Sequence, residues 1–451
     1  MFRGSLSIKT KGYLIDTQLK GIRSWSFFGL AWVQFLTVLN DNSYRWLVVP
    51  IGYHIIGIQH KGFILSLGLI CFVVPYILLV APAGYLADRF SKRTVIAGSM
   101  LLQSAILVLG FGALLITNVF LLFFTLALMG AQGALLAPSK GGTIPETIRA
   151  ESLSRANGIM GMASVMAAVI GSVLGNTLYV LTAPVGKTHW WISAAALISI
   201  SILGFATALL ITKREAADPA RSPPKKILTH TVEYLNALKS DRKLLAVASA
   251  SAFFWFLAAL AQVNVYLLGT TALHITQEEV GYLLAILALG VAVGSILAGL
   301  WSGDKIDLGI TTIGAGGIVF TSIMMFVVVR NGGVGHAMLY WSFFFLFLMG
   351  ISSGIYEVPL SAYLQYNSPK DSRGKILAGV NFITFSAMLI ASLVFWVARS
   401  LLGSSAGIIF LIAGLITSII FLVMLFVLPH QTWRALLRPM KWIAGKLNGV
   451  P

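Results

Sequence analysis

Two carboxylates stand where carboxylates are expensive. Asp41 and Glu357 each lie inside an apolar run long enough to cross a bilayer. An ionised side chain there costs roughly 2.5–3.5 kcal/mol on insertion scales, so each needs a partner or a task. Gln34, Thr37, Asp41 and Tyr44 follow one another at spacings of three, four and three, which places them in one stripe down a helix. Arg45 is four residues after Asp41, in reach of an intrahelical ion pair, and Asn40 and Asn42 crowd the same turn with polarity. Around Glu357, Ser353 and Ser361 repeat at spacing four and Gln365 extends the stripe. Such a carboxylate can bind a cationic group, exchange a proton or a sodium ion, or pair with Arg45 across the molecule. Gln262 and Tyr266 share a face with Asn264 close by, Gln132 lies in another apolar run, and Lys140 follows Pro138 at the end of that run. The plain alternative is structural: an internal Asp–Arg pair, a hydrogen-bonded glutamic acid, and amides acting as interhelical glue worth about 0.6 kcal/mol each.

These residues must be carried by membrane-spanning helices. The chain has 451 residues, 57% hydrophobic and 10% charged. Apolar runs of spanning length are read at 26–50, 63–86, 94–116, 118–138, 156–182 and 190–212, then at 244–270, 279–302, 309–329, 336–364, 376–400 and 405–428. The expected fold is therefore all-α and polytopic, with twelve transmembrane helices. Residues 1–25 are a basic segment, 26–212 a six-helix bundle, 213–243 a polar linker, 244–428 a second six-helix bundle, and 429–451 a basic tail. Residues 1–25 are too polar to read as a cleavable signal peptide. In the tail, Trp433, Leu436, Leu437, Met440 and Leu447 recur at helical spacing, as expected of an interfacial amphipathic helix.

The net charge of +17 fits a topology rather than a nucleic acid. With both termini cytoplasmic, the inside segments hold 27 of the 32 lysines and arginines, and the outside loops hold Lys61, Lys187, Arg330 and Arg399. That asymmetry is the positive-inside rule, with anionic lipid as the expected electrostatic partner. The single Cys71 lies in the second run and reads as packing. No metal-ligand cluster and no phosphate-binding glycine loop is present in the sequence, so no cofactor is expected.

The gap between the second and third runs reads Gly84-Tyr-Leu-Ala-Asp88-Arg89-Phe-Ser-Lys92-Arg93. It resembles the cytoplasmic loop signature of the major facilitator superfamily, G-x-L-x-D-R-x-G-R-K, with Ser91 where that family has glycine. A degenerate echo, Gly299-Leu-Trp-Ser-Gly303-Asp304-Lys305, occupies the matching place in the second half, as parallel repeats require. The resemblance implies two six-helix bundles with the first and fourth helix of each lining a central cavity. It also implies gating roles for Gly84, Asp88, Arg89 and Arg93, together with Glu146 and Arg373. Asp88 and Arg89 are expected to lock the cytoplasmic side between the halves.

Further segments narrow the resemblance. Gln34-Phe-Leu-Thr-Val-Leu-Asn-Asp41-Asn42, Gly133-Ala-Leu-Leu-Ala-Pro138-Ser-Lys140 with Ile144-Pro-Glu146, Leu153-Ser-Arg155-Ala-Asn157-Gly158, Val358-Pro359-Leu360, Leu364-Gln365 and Arg373-Gly374 with Asn381 resemble, in order, segments of the bacterial lysophospholipid transporters. They look most like the transporter domain of forms fused to acyltransferase and acyl-ligase domains, neither of which is expected in this chain. The resemblance implies movement of lysophospholipids such as lysophosphatidylethanolamine from the outer to the inner leaflet of the bacterial inner membrane, for reacylation by a cytoplasmic acyltransferase. It makes Gln34, Asp41, Asn42, Tyr44, Arg45, Lys140, Gln262, Asn264, Tyr266, Glu357 and Asn381 the candidate substrate residues, with Asp41 and Glu357 also candidates for ion coupling. Asp41 would meet an ethanolamine ammonium, and Arg45 or Lys140 the phosphate. Three departures bear on headgroup preference: Gly141-Gly142 where the family has Tyr-Gly, Gln262 where stand-alone members carry arginine, and Glu357 where many are apolar.

The competing class is a drug or small-solute exporter of the same fold. A membrane-bound acyltransferase would need a His–Asp pair at H-x-x-x-x-D spacing, which none of the seven histidines has; the chain is therefore not expected to be an enzyme.

Overall fold

The computed structural model describes residues 21–57, 61–182, 189–224, 227–303, 305–331, 336–401, 403–433, 435 and 437. The long elements are helices: α1 (Trp25–Ile56), α2 (Lys61–Leu78), α3 (Val80–Arg89), α4 (Lys92–Ile116), α5 (Val119–Thr147), α6 (Leu153–Thr182), α7 (Trp190–Ala208), α8 (Ile227–Lys239), α9 (Arg242–Leu267), α10 (Gln277–Ser302), α11 (Gly309–Arg330), α12 (His336–Asn367), α13 (Arg373–Trp396) and α14 (Ala406–Val427). In hydrocarbon every backbone polar group must be satisfied within the segment, which leaves the helix as the available form for these runs. Starts are capped: the Asn118 side chain accepts from the Leu121 N–H, Asp241 from Lys243 and Leu244, and Thr276 with Glu279 forms a capping box.

Ten described helices are long and apolar enough to cross a bilayer, and the bent pair α2–α3 makes eleven. The expected twelve are not reached on this criterion. The helix left over is α1, whose 32 residues are sufficient in length but diluted by Gln34, Asn40, Asp41, Asn42 and Arg45. The predicted run 63–86 is a broken helix, bent by 56° at Leu79. Pro82 lacks the N–H that would bond to Leu78, and its ring crowds that carbonyl. The run predicted to end at Pro138 instead continues to Thr147, with Pro138 and Pro145 inside it, so Lys140 lies within a helix rather than beyond its end.

The predicted linker is itself structured, because α8 fills much of it. Of the tail, residues 434, 436 and 438–451 lie outside the described residues, as does Asp304 of the echo motif. The described part folds back, with Trp301 Nε1 donating to the Ala435 carbonyl at 3.0 Å.

Buried apolar side chains fall into separate cores. One group, including Tyr44, Leu47, Leu122 and Met129 with Leu30, Ile96 and Leu136, comes from α1–α7. Another, including Leu260, Leu283 and Phe410 with Leu244, Ile318 and Tyr356, comes from the helices after α8. Within each group small residues let backbones touch. A Cβ at Gly175 (α6) would lie 2.3 Å from the Ser43 carbonyl of α1, and one at Gly294 (α10) 2.1 Å from the Ile351 carbonyl of α12.

Candidate functional site

The first constellation surrounds Asp41. Its carboxylate, buried on α1, accepts from Gln103 Nε2 of α4 at 3.1 Å. Gln103 in turn accepts from Asn40, which also donates to the Leu197 carbonyl. Lys140 on α5 is close enough for its charge to act on Asp41, and Tyr76 on α2 feels the same carboxylate. No ion pair forms between Asp41 and Lys140, whose Nζ makes no hydrogen bond among the described residues. Asp41 and Lys140 therefore lie within range of each other's charge without a direct contact. Tyr76 stacks on Phe385 of α13, with ring centroids 4.0 Å apart and planes 27° apart. Gly133 is where the Tyr76 hydroxyl passes, since a Cβ there would sit 2.3 Å from that oxygen.

Several expected site residues stand elsewhere. Arg45 does not pair with Asp41 or Glu357; its guanidinium lies 5.9 Å from the Trp46 ring centre. Asp41 takes its hydrogen bond from Gln103 on α4, so the local spacing that offered an ion pair is not used. Tyr44 is 1% exposed, packed in the apolar core with its hydroxyl donating to the Leu122 carbonyl. Gln34 donates to Ser164 Oγ on α6 at 2.5 Å, and Asn42 to the Val38 carbonyl of its own helix. On α9, Gln262 and Tyr266 are exposed, while Asn264 turns into the interior and donates to the Ala406 carbonyl. Asn264 lines a cavity of about 90 Å³ there, with Phe254, Ser322, Ser353 and Phe410. Asn381 is half-buried and makes no hydrogen bond among the described residues. Glu357 accepts from Ser251 on α9 at both oxygens and from Ser361 on its own helix.

The second constellation joins the two groups of helices. Asp88, fully buried at the end of α3, accepts from the Gly374 N–H at 2.8 Å and the Lys375 N–H at 3.0 Å. Those are free N–H groups of the first turn of α13, where partial positive charge collects. A third donor arrives from the linker, Arg221 at 2.5 Å, while the Asp218 N–H bonds the Asp88 carbonyl. Tyr234 of α8, 1% exposed, donates to the Ala81 carbonyl, and its ring lies under both Arg221 and Lys375. Gly84 is required beneath it, because a Cβ there would approach the Tyr234 ring to 2.5 Å. Lys375 Nζ also bonds Glu233 of α8, and that bond, with a lesser one from His230, holds the Glu233 carboxyl below the ordinary glutamate range.

Arg89 and Arg93, expected to serve the lock, make no hydrogen bond or ion pair among the described residues. Arg221 pairs with Asp88 in place of Arg89, and Lys92 rather than Arg93 reaches Glu146, at 2.5 Å, with Arg373 3.8 Å away. Gly142 makes room for this, since a Cβ there would press on the Lys92 chain at 2.7 Å. Deeper in, Asn157 of α6 and Gln365 of α12 exchange a reciprocal pair of amide hydrogen bonds, both 2.9 Å. Sequence reasoning missed Gln103, Tyr76, Phe385, Arg221, Glu233 and Tyr234. The one signal for Tyr234 and Arg221 was their place in a linker read only for its charge.

A polytopic helical protein with polar groups along its inner helices, and with its two sets of cores bridged at loops, belongs to the class of membrane transporters. The Major Facilitator Superfamily model matches residues 30–392, and the chain belongs to that family. Its curated relatives include the lysophospholipid transporter LplT of Pectobacterium carotovorum, 27% identical over 77% of this chain and 78% of that one. The protein of the same name from Serratia proteamaculans is 26% identical over 81% and 87%. Among solved structures, the Escherichia coli fucose:proton symporter superposes with a TM-score of 0.69 at 16% identity, over 90% of this chain and 99% of that one. A human organic anion transporter gives 0.70 at 12% identity, over 89% and 99%. These structures share the fold.

Proposed function

We propose that this protein is a lysophospholipid transporter of the bacterial inner membrane. In this reading it carries lipids such as lysophosphatidylethanolamine from the outer to the inner leaflet, where a cytoplasmic acyltransferase restores the second chain. The observation that carries the reading is that Asp41 and Lys140, groups of opposite charge type, are buried within range of each other without a direct contact. A zwitterionic headgroup presents an ammonium and a phosphate a few bonds apart. Asp41 meets the first and Lys140 the second through charge-assisted hydrogen bonds, with the Tyr76–Phe385 stack closing over them. The similarity to LplT proteins supports the same cargo.

Residues 26–212 and 244–428 act as two bundles that rock about this pocket, both termini in the cytoplasm. The clasp of Asp88, Arg221, Tyr234 and the start of α13 holds the cytoplasmic side shut while the pocket faces outward. The test is uptake of labelled lysophosphatidylethanolamine by spheroplasts lacking their own transporter. Wild type moves it, whereas Asp41→Asn and Lys140→Gln do not. Equal, background-level uptake by all three would remove the cargo assignment. In that case protection of a hypersensitive host against drugs would favour an exporter instead.

A further inference from the structure

The two intramembrane carboxylates are housed differently, and the difference separates their tasks. Asp41 has the Lys140 charge acting on it and a side-chain amide as donor. Glu357 has no cation within ion-pairing distance among the described residues. Its hydrogen-bonding neighbours are Ser251 at 2.8 and 3.1 Å and Ser361 at 2.8 Å.

Helix α12 packs on α5, α6, α9, α10, α11 and α13. The charged side chains described on them are Lys140 and Glu146, Arg155, Arg242 and Lys243, Glu279, Arg330, and Arg373 and Lys375, and none of these exerts a charge interaction on Glu357. The titratable neighbour that senses it is Tyr356, whose phenol donates to the Ala250 carbonyl.

A half-buried carboxylate without a counter-charge pays heavily for ionisation. Its serine neighbours suit both of its forms. A hydroxyl donates to a carboxylate and, after rotating, accepts from a carboxylic acid, so the cage keeps its bonds when a proton arrives or leaves. One carboxylate and two hydroxyls offer too few oxygens to replace the hydration shell of a metal cation. From this cage we infer that Glu357 is a proton-binding site through which proton movement is coupled to substrate movement. The step balances simply: one proton adds to a Glu357 oxygen when the site is open to one side and leaves that oxygen when it is open to the other. The coupling, though not the proton site itself, rests on the transport reading above.

Two measurements test it. Infrared spectroscopy of the purified protein, in a detergent without ester groups, follows the carbonyl stretch of a protonated carboxyl as pH is varied. The wild type shows a titrating band, Glu357→Gln lacks it, and Ser251→Ala displaces its midpoint. In proteoliposomes, an imposed pH gradient changes wild-type lysophosphatidylethanolamine uptake several-fold. Glu357→Gln, which conserves shape, loses that response. A titrating band without any lipid uptake supports the proton site and removes the cargo reading. Lipid uptake that ignores the gradient, with a spectrum unchanged in Glu357→Gln, overturns the inference.

Discussion

Replacing Asp88 by asparagine removes one oxygen and one charge from a place where three donors converge. In the structure one carboxylate oxygen takes the Gly374 N–H and the other takes both the Lys375 N–H and Arg221. Whichever way the new amide is turned, its NH2 faces a donor. Hydrogen bonds to a charged group contribute about 1.5–3 kcal/mol each; one of the three is lost in the better orientation, with the amide oxygen facing Lys375 and Arg221, and the other two become bonds to a neutral acceptor. The neutral amide is cheaper to bury, which offsets part of this, while Arg221 keeps an acceptor but loses the opposite charge. A net loss of about 2 kcal/mol from the clasped state follows, or about thirtyfold in the equilibrium between clasped and open. Spin labels on α3 and α13 read this directly as a broadened, longer distance distribution in Asp88→Asn. Affinity for the proposed lysophospholipid stays near the wild-type value, because the surroundings of Asp41 are untouched, while turnover falls. An Asp88→Asn protein with wild-type distances and turnover would refute the reasoning.

Arg221→Ala should reproduce most of the Asp88→Asn phenotype, and Arg89→Ala should leave transport within about twofold of wild type, since surface changes away from such contacts usually stay within ±0.5 kcal/mol; transport assays on the pair check the exchange of roles. Phe385→Ala should weaken substrate retention several-fold by opening the stack over Tyr76, measured as faster dissociation of bound lipid. Gly294→Ala should lower the melting temperature of the purified protein, because its methyl group meets the Ile351 carbonyl at 2.1 Å. The Glu233 carboxyl is held below its usual value, so its contribution is complete above about pH 4.5 and is lost as pH falls through the depressed value; hydrogen exchange in α8 should therefore be flat from neutral pH down to that point and rise below it, after correction for the intrinsic rate.

What the chain revealed in advance depended on range along the sequence. Apolar runs are local, so most helices were legible. The bend at Leu79 was also written locally, in Pro82, yet a hydropathy reading passes over one proline in a long run. Asp41 stood out because a carboxylate in such a run is rare, but its partners Gln103 and Lys140 come from α4 and α5 and could not be paired by spacing. The Asp41–Arg45 pair failed for that reason: i,i+4 geometry makes a contact available, and partners from other helices decide whether it forms. Arg221 was counted among linker charges and was not separable from its neighbours until α8 placed it over Asp88. Tyr76 carried no signal, being one aromatic residue in an aromatic-rich stretch.

The amide pair between Asn157 and Gln365 has a consequence of its own. Both residues give one hydrogen and take one, so nothing ionic is exposed when they part, and each finds water as readily as it found the other. Two such bonds contribute only about 1–3 kcal/mol together, with no dependence on ionic strength. The Asp88–Arg221 clasp is the opposite kind of fastener, charged and therefore open to screening by salt at its half-buried rim. Raising salt should loosen one and leave the other, so this end of the molecule can part in two stages, linker first and α6–α12 second.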